Sequence, residues 1–195
     1  MQKRYFTLLI LLFLTVNAFG QSVSGLKLSS AAIALTKQKV IYDPAYFSIP
    51  YPNGDVPLGK GVCTDVIIRA YRTGLGVDLQ KEVHLDMKPN FRLYPKNWGR
   101  KMTDRNIDHR RVYNLMVFFK RKGEVKPITK IPDDYKPGDV VCWILTGNIS
   151  HVGIVINKKS VDGKRYLIVH NIGGGQVIED CLFAWKIIGH YQYKV

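Results

Sequence analysis

The chain has 195 residues and carries 29 lysines and arginines against 15 acidic residues, a net charge of +14. Its three cysteines are too few for a disulfide scaffold, and their odd number leaves at least one thiol free or bridged to another chain. The basic residues are scattered and no nucleic-acid motif accompanies them, so nucleic acid is excluded as a partner; an anionic cell envelope and a merely solvated basic surface remain as readings of the charge.

Residues 1–20 read as a secretory signal peptide. Lys3 and Arg4 give a basic start, Leu8 to Val16 is almost wholly apolar, and Ala18 and Gly20 offer small residues for cleavage before Gln21. The apolar run is too short for a comfortable membrane anchor, and no later segment is long and apolar enough to span a bilayer. The remaining chain, about 175 residues, suits one domain with a sizeable core. Residues 21–41 are expected to form an N-terminal helical segment, followed by a single domain over 42–195. No internal repeat and no low-complexity segment interrupts it.

Ser29 or Ser30 is expected to cap a first helix running to Lys39, with Ala32, Ile33 and Leu35 on its inner side. Residues 42–58 hold four prolines and several aromatics and read as a structured loop, of the kind that forms a rim or lid beside a site. Gly59-Lys60-Gly61-Val62 then leads into Cys63. A helix follows over 64–72, with Val66, Ile67, Ala70 and Tyr71 on one face and Gly74 as its terminator. A short helix is predicted over 79–87 and a loop over 89–99. Asp108 is placed to cap a helix through residue 122, with Gly123 just beyond. From the turn Pro137-Gly138-Asp139 the pattern changes to strands, predicted over 140–145, 151–157, 165–171, 176–179 and 187–193. Gly147-Asn148, Asp162-Gly163 and Gly173-Gly174-Gly175 punctuate them. Helices first and strands after, with short links, predict an α+β fold in which the N-terminal helices pack on an antiparallel β-sheet.

The chemistry concentrates at three residues. A glycine-rich approach puts Cys63 at a helix N-terminus, where unpaired amide N–H groups and the positive end of the helix dipole favour thiolate over thiol. His151 opens one predicted strand, and His170 lies near the end of the next, nineteen residues later. A hairpin would set the two imidazoles side by side. A thiol on a helix start with two histidines on strands is the layout of a papain-like cysteine hydrolase, with Cys63 as nucleophile, His151 as base and His170, helped by Asn171, holding that base. The Cys63 amide and one donor from the preceding loop would form the oxyanion hole. Cys142 and Cys181 read as buried thiols that could also pair with each other. His84, His109 and His190 lack such a setting and read as structural. No close ligand pair of the C-x-x-C or H-x-x-x-H type is present, so neither a metal nor a cofactor is expected.

Cys63 on its helix start, Pro137-Gly138-Asp139 leading into a strand, His151-Val152-Gly153-Ile154 and the later His170 together resemble the NlpC-like cysteine peptidases, papain-like hydrolases of bacterial cell walls. Asp108-His109-Arg110-Arg111 with its following apolar helix, and the 137–151 segment, resemble more closely a bacterial family within that superfamily, domain of unknown function 1287. The likeness covers roughly residues 42–195. It implies a Cys63–His151–His170 triad acting on peptidoglycan stem peptides, commonly at a γ-D-glutamyl bond, in a periplasmic or extracellular protein. It also implies a tyrosine about a dozen residues before the cysteine, near the substrate carbonyl. Tyr51 stands at that spacing, with Tyr46 as the alternative. Substrate carboxylates would fall to Arg69, Arg110 or Arg111. Where the cell-wall enzymes read Asp-Cys-Ser-Gly, this chain reads Val62-Cys63-Thr64-Asp65, so Asp65 is expected to reshape the specificity pocket. Two other readings keep the same cysteine: an acyltransferase or thioesterase whose acyl chain lies against the aromatic loop 42–52, and a wall-binding protein that performs no catalysis.

Overall fold

The structure, a computed structural model, describes residues 23–193; the expected signal peptide and its cleavage point lie outside them. A first helix, α1, occupies residues 23–35. Ser29 and Ser30 therefore lie inside this helix and not at its cap, because the helix is already under way at residue 23. The Ser29 hydroxyl instead accepts the Asn157 amide at 2.8 Å, tying α1 to the sheet. Leu28, Ala32 and Leu35 recur at helical spacing and enter the same core as the next helix, so the N-terminal segment shares the core of the rest.

Two short parallel strands, β1 (Ile41–Tyr42) and β2 (Lys60–Gly61), pair Tyr42 with Gly61 and close the loop between them. That loop is ordered by side chains from elsewhere. Gln80 accepts the Gly54 amide and donates to the Pro50 carbonyl, both at about 2.9 Å or less. Tyr46 reaches Asp104 and Asn106.

Helix α2 (Cys63–Leu75) carries Val66, Ile67, Ala70 and Tyr71, all fully buried. Complete burial contributes about 1.5–3 kcal/mol for each of the aliphatic side chains Val66 and Ile67. The helix runs three residues beyond the predicted end. Gly74 does not terminate it: a Cβ there would come within 2.9 Å of Ala31 and 3.0 Å of the Lys27 carbonyl, so this glycine lets α1 pass close by. Gly76, with φ +69°, supplies the left-handed cap. Helix α3 (Leu79–Asn90) is capped by Asp78. Asp108 does not cap the following helix directly, since residues Asp108–Arg110 form a 3-10 turn before α4 (Val112–Lys122).

The sheet has the order β3-β8-β4-β5-β6-β7, antiparallel throughout. Its strands are β3 (Glu124–Val125), β4 (Val140–Leu145), β5 (Ile149–Lys159), β6 (Tyr166–Asn171), β7 (Gln176–Glu179) and β8 (Lys186–Gln192). β3 is an addition to the predicted set, and β5 is longer at both ends. Alternation of side chains sorts the sheet into two faces. Val140, Cys142, Val152, Ile154 and Val169 pack with the helices. Val141, Trp143, Val155 and Ile168 pack on the other face with Tyr135, Cys181 and Leu182. All three cysteines are free, with Cys142 in the first cluster and Cys181 in the second, so the considered bridge between them does not exist. The turn before β4 is held by Asp139, which is fully buried and accepts from Lys136 N, His190 Nε2 and Gln192 Nε2. His190, stacked on Tyr135 at 4.3 Å, thus has the structural role read for it. Among the described residues no helix is long and apolar enough to cross a membrane.

Candidate active site

The start of α2 meets the sheet at the place where β5 and β6 part. β5 and β6 pair through Ile154↔Val169 and Val155↔Ile168, and the pairing is not continued to Val152. The Val152 amide is left to point at the Cys63 sulfur, as do the amides of Thr64 and of Cys63 itself. These three N–H groups favour the thiolate. Burial opposes them and wins: Cys63 is 4 % exposed, and desolvation, with the Asp65 carboxylate nearby, pushes its thiol up to about 12. The helix N-terminus therefore does not by itself yield the ready thiolate expected from sequence.

One residue before Val152, His151 stands opposite Trp143 in the β4–β5 register and shares that face of the sheet. Its Nε2 meets His170 Nδ1 at 2.8 Å, with the ring planes at 82°. His170 Nε2 in turn meets Glu179 Oε2 at 2.8 Å. The hairpins β5–β6 and β6–β7 thus line up Glu179, His170 and His151 in one chain. Trp143 and Trp185 wall in the His151 ring at about 6 Å. Burial and the neighbouring His170 lower His151 to about 3; burial also lowers His170, offset in part by Glu179. Gly153 is required here because a Cβ would meet Ile168 Cγ2 at 2.6 Å and His170 Cβ at 3.2 Å, forcing β6 and its histidine away. Among the described residues no hydrogen bond joins the Cys63 sulfur to an imidazole. What relates the two is the Val152 amide, which points at the sulfur and is next in the chain to His151. Such contacts are often long in free enzymes and tighten with substrate bound.

The other predicted site residues fall elsewhere. Asp65 is almost wholly buried and accepts from Arg110 Nε at 3.0 Å, Arg110 Nη2 at 3.1 Å and the Val62 amide at 2.7 Å. Asp65 and Arg110 are thus bound to each other beneath the helix start, where they clamp it to the 3-10 turn. Arg69 is held by Asp55, and Arg111 lies over the Trp98 ring at 4.2 Å. Asn171 is fully buried, donates to the Gly61 carbonyl at 3.3 Å and does not contact either imidazole by a hydrogen bond. Tyr51 packs edge-on against His84 at 5.3 Å and under Arg105. The tyrosine within electrostatic reach of Cys63 is Tyr42, whose hydroxyl is raised by burial and by Cys63 and Asp65. The sequence reading missed Tyr42 because the loop 43–59 folds back on itself and the parallel pair β1–β2 delivers a residue 21 positions upstream. It missed Glu179 because only the hairpin register brings that residue to His170, and no local motif announces it.

A family model described as a domain of unknown function, DUF1287, matches residues 29–193. The chain belongs to the DUF1287 family. The uncharacterized protein YijF of Escherichia coli (strain K12) is 46 % identical over 175 residues, covering 90 % of this chain and 84 % of that one. Among solved structures, NlpC1 from Trichomonas vaginalis overlays with a TM-score of 0.44 at 13 % identity. The overlay covers 87 % of this chain, which spans 44 % of the length of that protein.

Proposed function

We propose that this DUF1287 protein is an exported cysteine hydrolase that cleaves an amide bond in peptidoglycan stem peptides. The observation that carries the reading is the hydrogen-bonded chain Glu179–His170–His151, whose last member is next in sequence to Val152, the residue whose amide points at the sulfur of Cys63. The hydrogen bonds assign the protons. A carboxylate can only accept, so His170 carries its proton on Nε2 and accepts at Nδ1. His151 must then donate from Nε2, which leaves its Nδ1 unprotonated and able to act as the base.

In the reaction, His151 Nδ1 takes the Cys63 thiol proton as the sulfur attacks the amide carbonyl. The imidazolium so formed is stabilised through His170 by Glu179, and it returns the proton to the departing amine. Water then hydrolyses the thioester with His151 again as base. The Cys63 amide and the Tyr42 hydroxyl are the donors for the oxyanion, and Tyr42 takes the role expected of Tyr51. The substrate class rests on the motif likeness to NlpC-like peptidases, on the expected signal peptide and on the net charge of +14, which suits an anionic wall. Because Arg110 is bound to Asp65, it is not an anchor for substrate carboxylates on this reading.

The test uses residues 21–195 and purified sacculi. Wild type is expected to release stem-peptide fragments, Cys63→Ala to release none while melting like wild type, and His151→Ala to lose more activity than His170→Ala. Absence of fragments, together with Cys63 alkylation that is indifferent to His151→Ala, would overturn the proposal. Turnover of acyl esters in place of sacculi would reassign the substrate to the acyl class.

A further inference from the structure

β7 ends at Glu179, and the turn that follows brings Cys181 back under β6. Three ligand atoms converge there: His170 Nε2, a Glu179 carboxylate oxygen and Cys181 Sγ all lie within 4.8 Å of one another. His170 Nε2 is 2.8 Å from Glu179 Oε2 and 3.7 Å from Cys181 Sγ. A tetrahedral zinc ion holds N and O ligands at about 2.0–2.1 Å and S at about 2.3 Å, so neighbouring ligand atoms stand roughly 3.3–3.6 Å apart. The two spans from His170 match that figure to within about half an ångström, and the third, from Glu179 to Cys181, is no more than 4.8 Å. Magnesium and calcium prefer all-oxygen sets, whereas a mixed nitrogen, oxygen and sulfur set suits zinc. His170 and Cys181 are buried, while the Glu179 side chain is half exposed and gives an ion its way in.

We propose that His170, Glu179 and Cys181 form a zinc-binding site, with water as fourth ligand, and that zinc bound there switches the enzyme off. The second half rests on the hydrolase reading above; the first does not. Zinc takes His170 Nε2 and displaces its proton, and the Cys181 thiol proton leaves to solvent. A neutral His170 then carries its proton on Nδ1 and donates to His151 Nε2, which becomes an acceptor. The proton between the rings thus passes from His151 Nε2 to His170 Nδ1, and His151 takes the displaced one back through solvent on Nδ1, the nitrogen that has to receive the thiol proton. Each imidazole keeps one proton, but both tautomers are reversed and Cys63 has no base.

Cobalt(II) added to residues 21–195 tests the site without any substrate. A thiolate-to-cobalt charge-transfer band with tetrahedral visible bands is expected. It should persist in Cys63→Ala, vanish in Cys181→Ser and weaken in affinity by at least about tenfold in Glu179→Gln, whose half-exposed side chain leaves the fold intact. A missing band, or one lost in Cys63→Ala and kept in Cys181→Ser, would overturn the site. Iodoacetamide labelling of Cys63 tests the switch: zinc should slow it about tenfold or more in wild type and leave Cys181→Ser unaffected. Unchanged labelling in the zinc-loaded protein would overturn the switch and leave the site standing. A protein that binds cobalt through Cys181 yet, once freed of metal, releases nothing from sacculi would refute the hydrolase reading alone.

Discussion

Replacing Asp65 by asparagine separates two roles for this residue: a contact to substrate and a clamp on the helix start. The carboxylate makes two hydrogen bonds to Arg110 and one to the Val62 amide, with its side chain 3 % exposed and that of Arg110 2 % exposed. Asparagine keeps the volume and one acceptor but removes the charge that neutralises the buried guanidinium, which retains the Ala45 carbonyl, the Phe47 ring and the field of Asp43. Breaking a buried pair by removing one partner costs about 3–5 kcal/mol. For a domain of this size each kcal/mol moves Tm by about 2–4 °C, so Asp65→Asn is expected to melt roughly 6–20 °C below wild type, with a matching fall in the urea midpoint. The same change removes a negative charge that opposes ionisation of Cys63, so the thiol of whatever fraction remains folded should label faster with iodoacetamide at a given pH. Urea denaturation followed by circular dichroism, and mass-spectrometric mapping of alkylation, read the two effects separately. A variant as stable as wild type but with a raised KM on wall substrate would refute the clamp and return Asp65 to the substrate pocket.

Tyr42→Phe should lower kcat/KM on wall substrate about tenfold, the equivalent of 1.4 kcal/mol, while Tyr51→Phe leaves it unchanged; the reverse order would restore Tyr51 to the site. Gly153→Ala is expected to lose about 1–3 kcal/mol by overpacking against Ile168 and His170 and to lose activity beyond what its folded fraction explains, both visible in a melt paired with an assay. His109, buried and among the described residues without a hydrogen-bond partner for Nδ1, has its pKa lowered by burial to about 3. Its contribution to stability is therefore complete above about 6.5 and falls as pH drops toward 3, because only the unfolded chain takes up the proton in that window. Asp108, raised by burial to about 6, acts in the opposite sense between about 4 and 6. Urea midpoints at pH 7 and pH 5 should show His109→Phe losing about 2 kcal/mol less than wild type on acidification; an unchanged difference would mean that His109 is not buried neutral.

What the sequence made legible was whatever a short stretch can encode. The approach Gly59–Val62 with the apolar stripe Val66, Ile67, Ala70, Tyr71 placed Cys63 on a helix start, and two-residue alternation around His151 and His170 placed both on strands whose hairpin sets the rings 5.0 Å apart between centroids. What escaped was set by packing at long range. Gly74 looked like a helix terminator because a glycine near an apolar stripe usually is one, yet it marks the crossing with α1, and Gly76 does the terminating. Asp65 looked like an intruder in a substrate pocket because its partner Arg110 lies 45 residues away. Tyr51 matched a spacing rule, but spacing along a looped chain does not measure distance, and the β1–β2 pairing delivers Tyr42 instead.

The expectation of a ready thiolate failed for a more general reason, and that reason bears on how such a site would work. Helix-terminal amides and a dipole favour charge on Cys63 by the modest amounts proper to partial charges, whereas removing an anion from water opposes it more strongly. With the thiol pushed up to about 12 and His151 down to about 3, the resting pair is uncharged. On the proposed reading, charge then appears only when the thiol proton moves to His151, and it appears on two groups at once. The imidazolium is compensated through His170 by Glu179 at the protein surface, and the sulfur by the amides of Cys63, Thr64 and Val152. The fixed groups are arranged for the ionised pair and not for the resting one, and that difference is what lowers a barrier. The carboxylate is the most exposed member of the chain and the one whose partner at His170 an ion can replace. The same geometry that supports the base therefore also exposes it to control from outside.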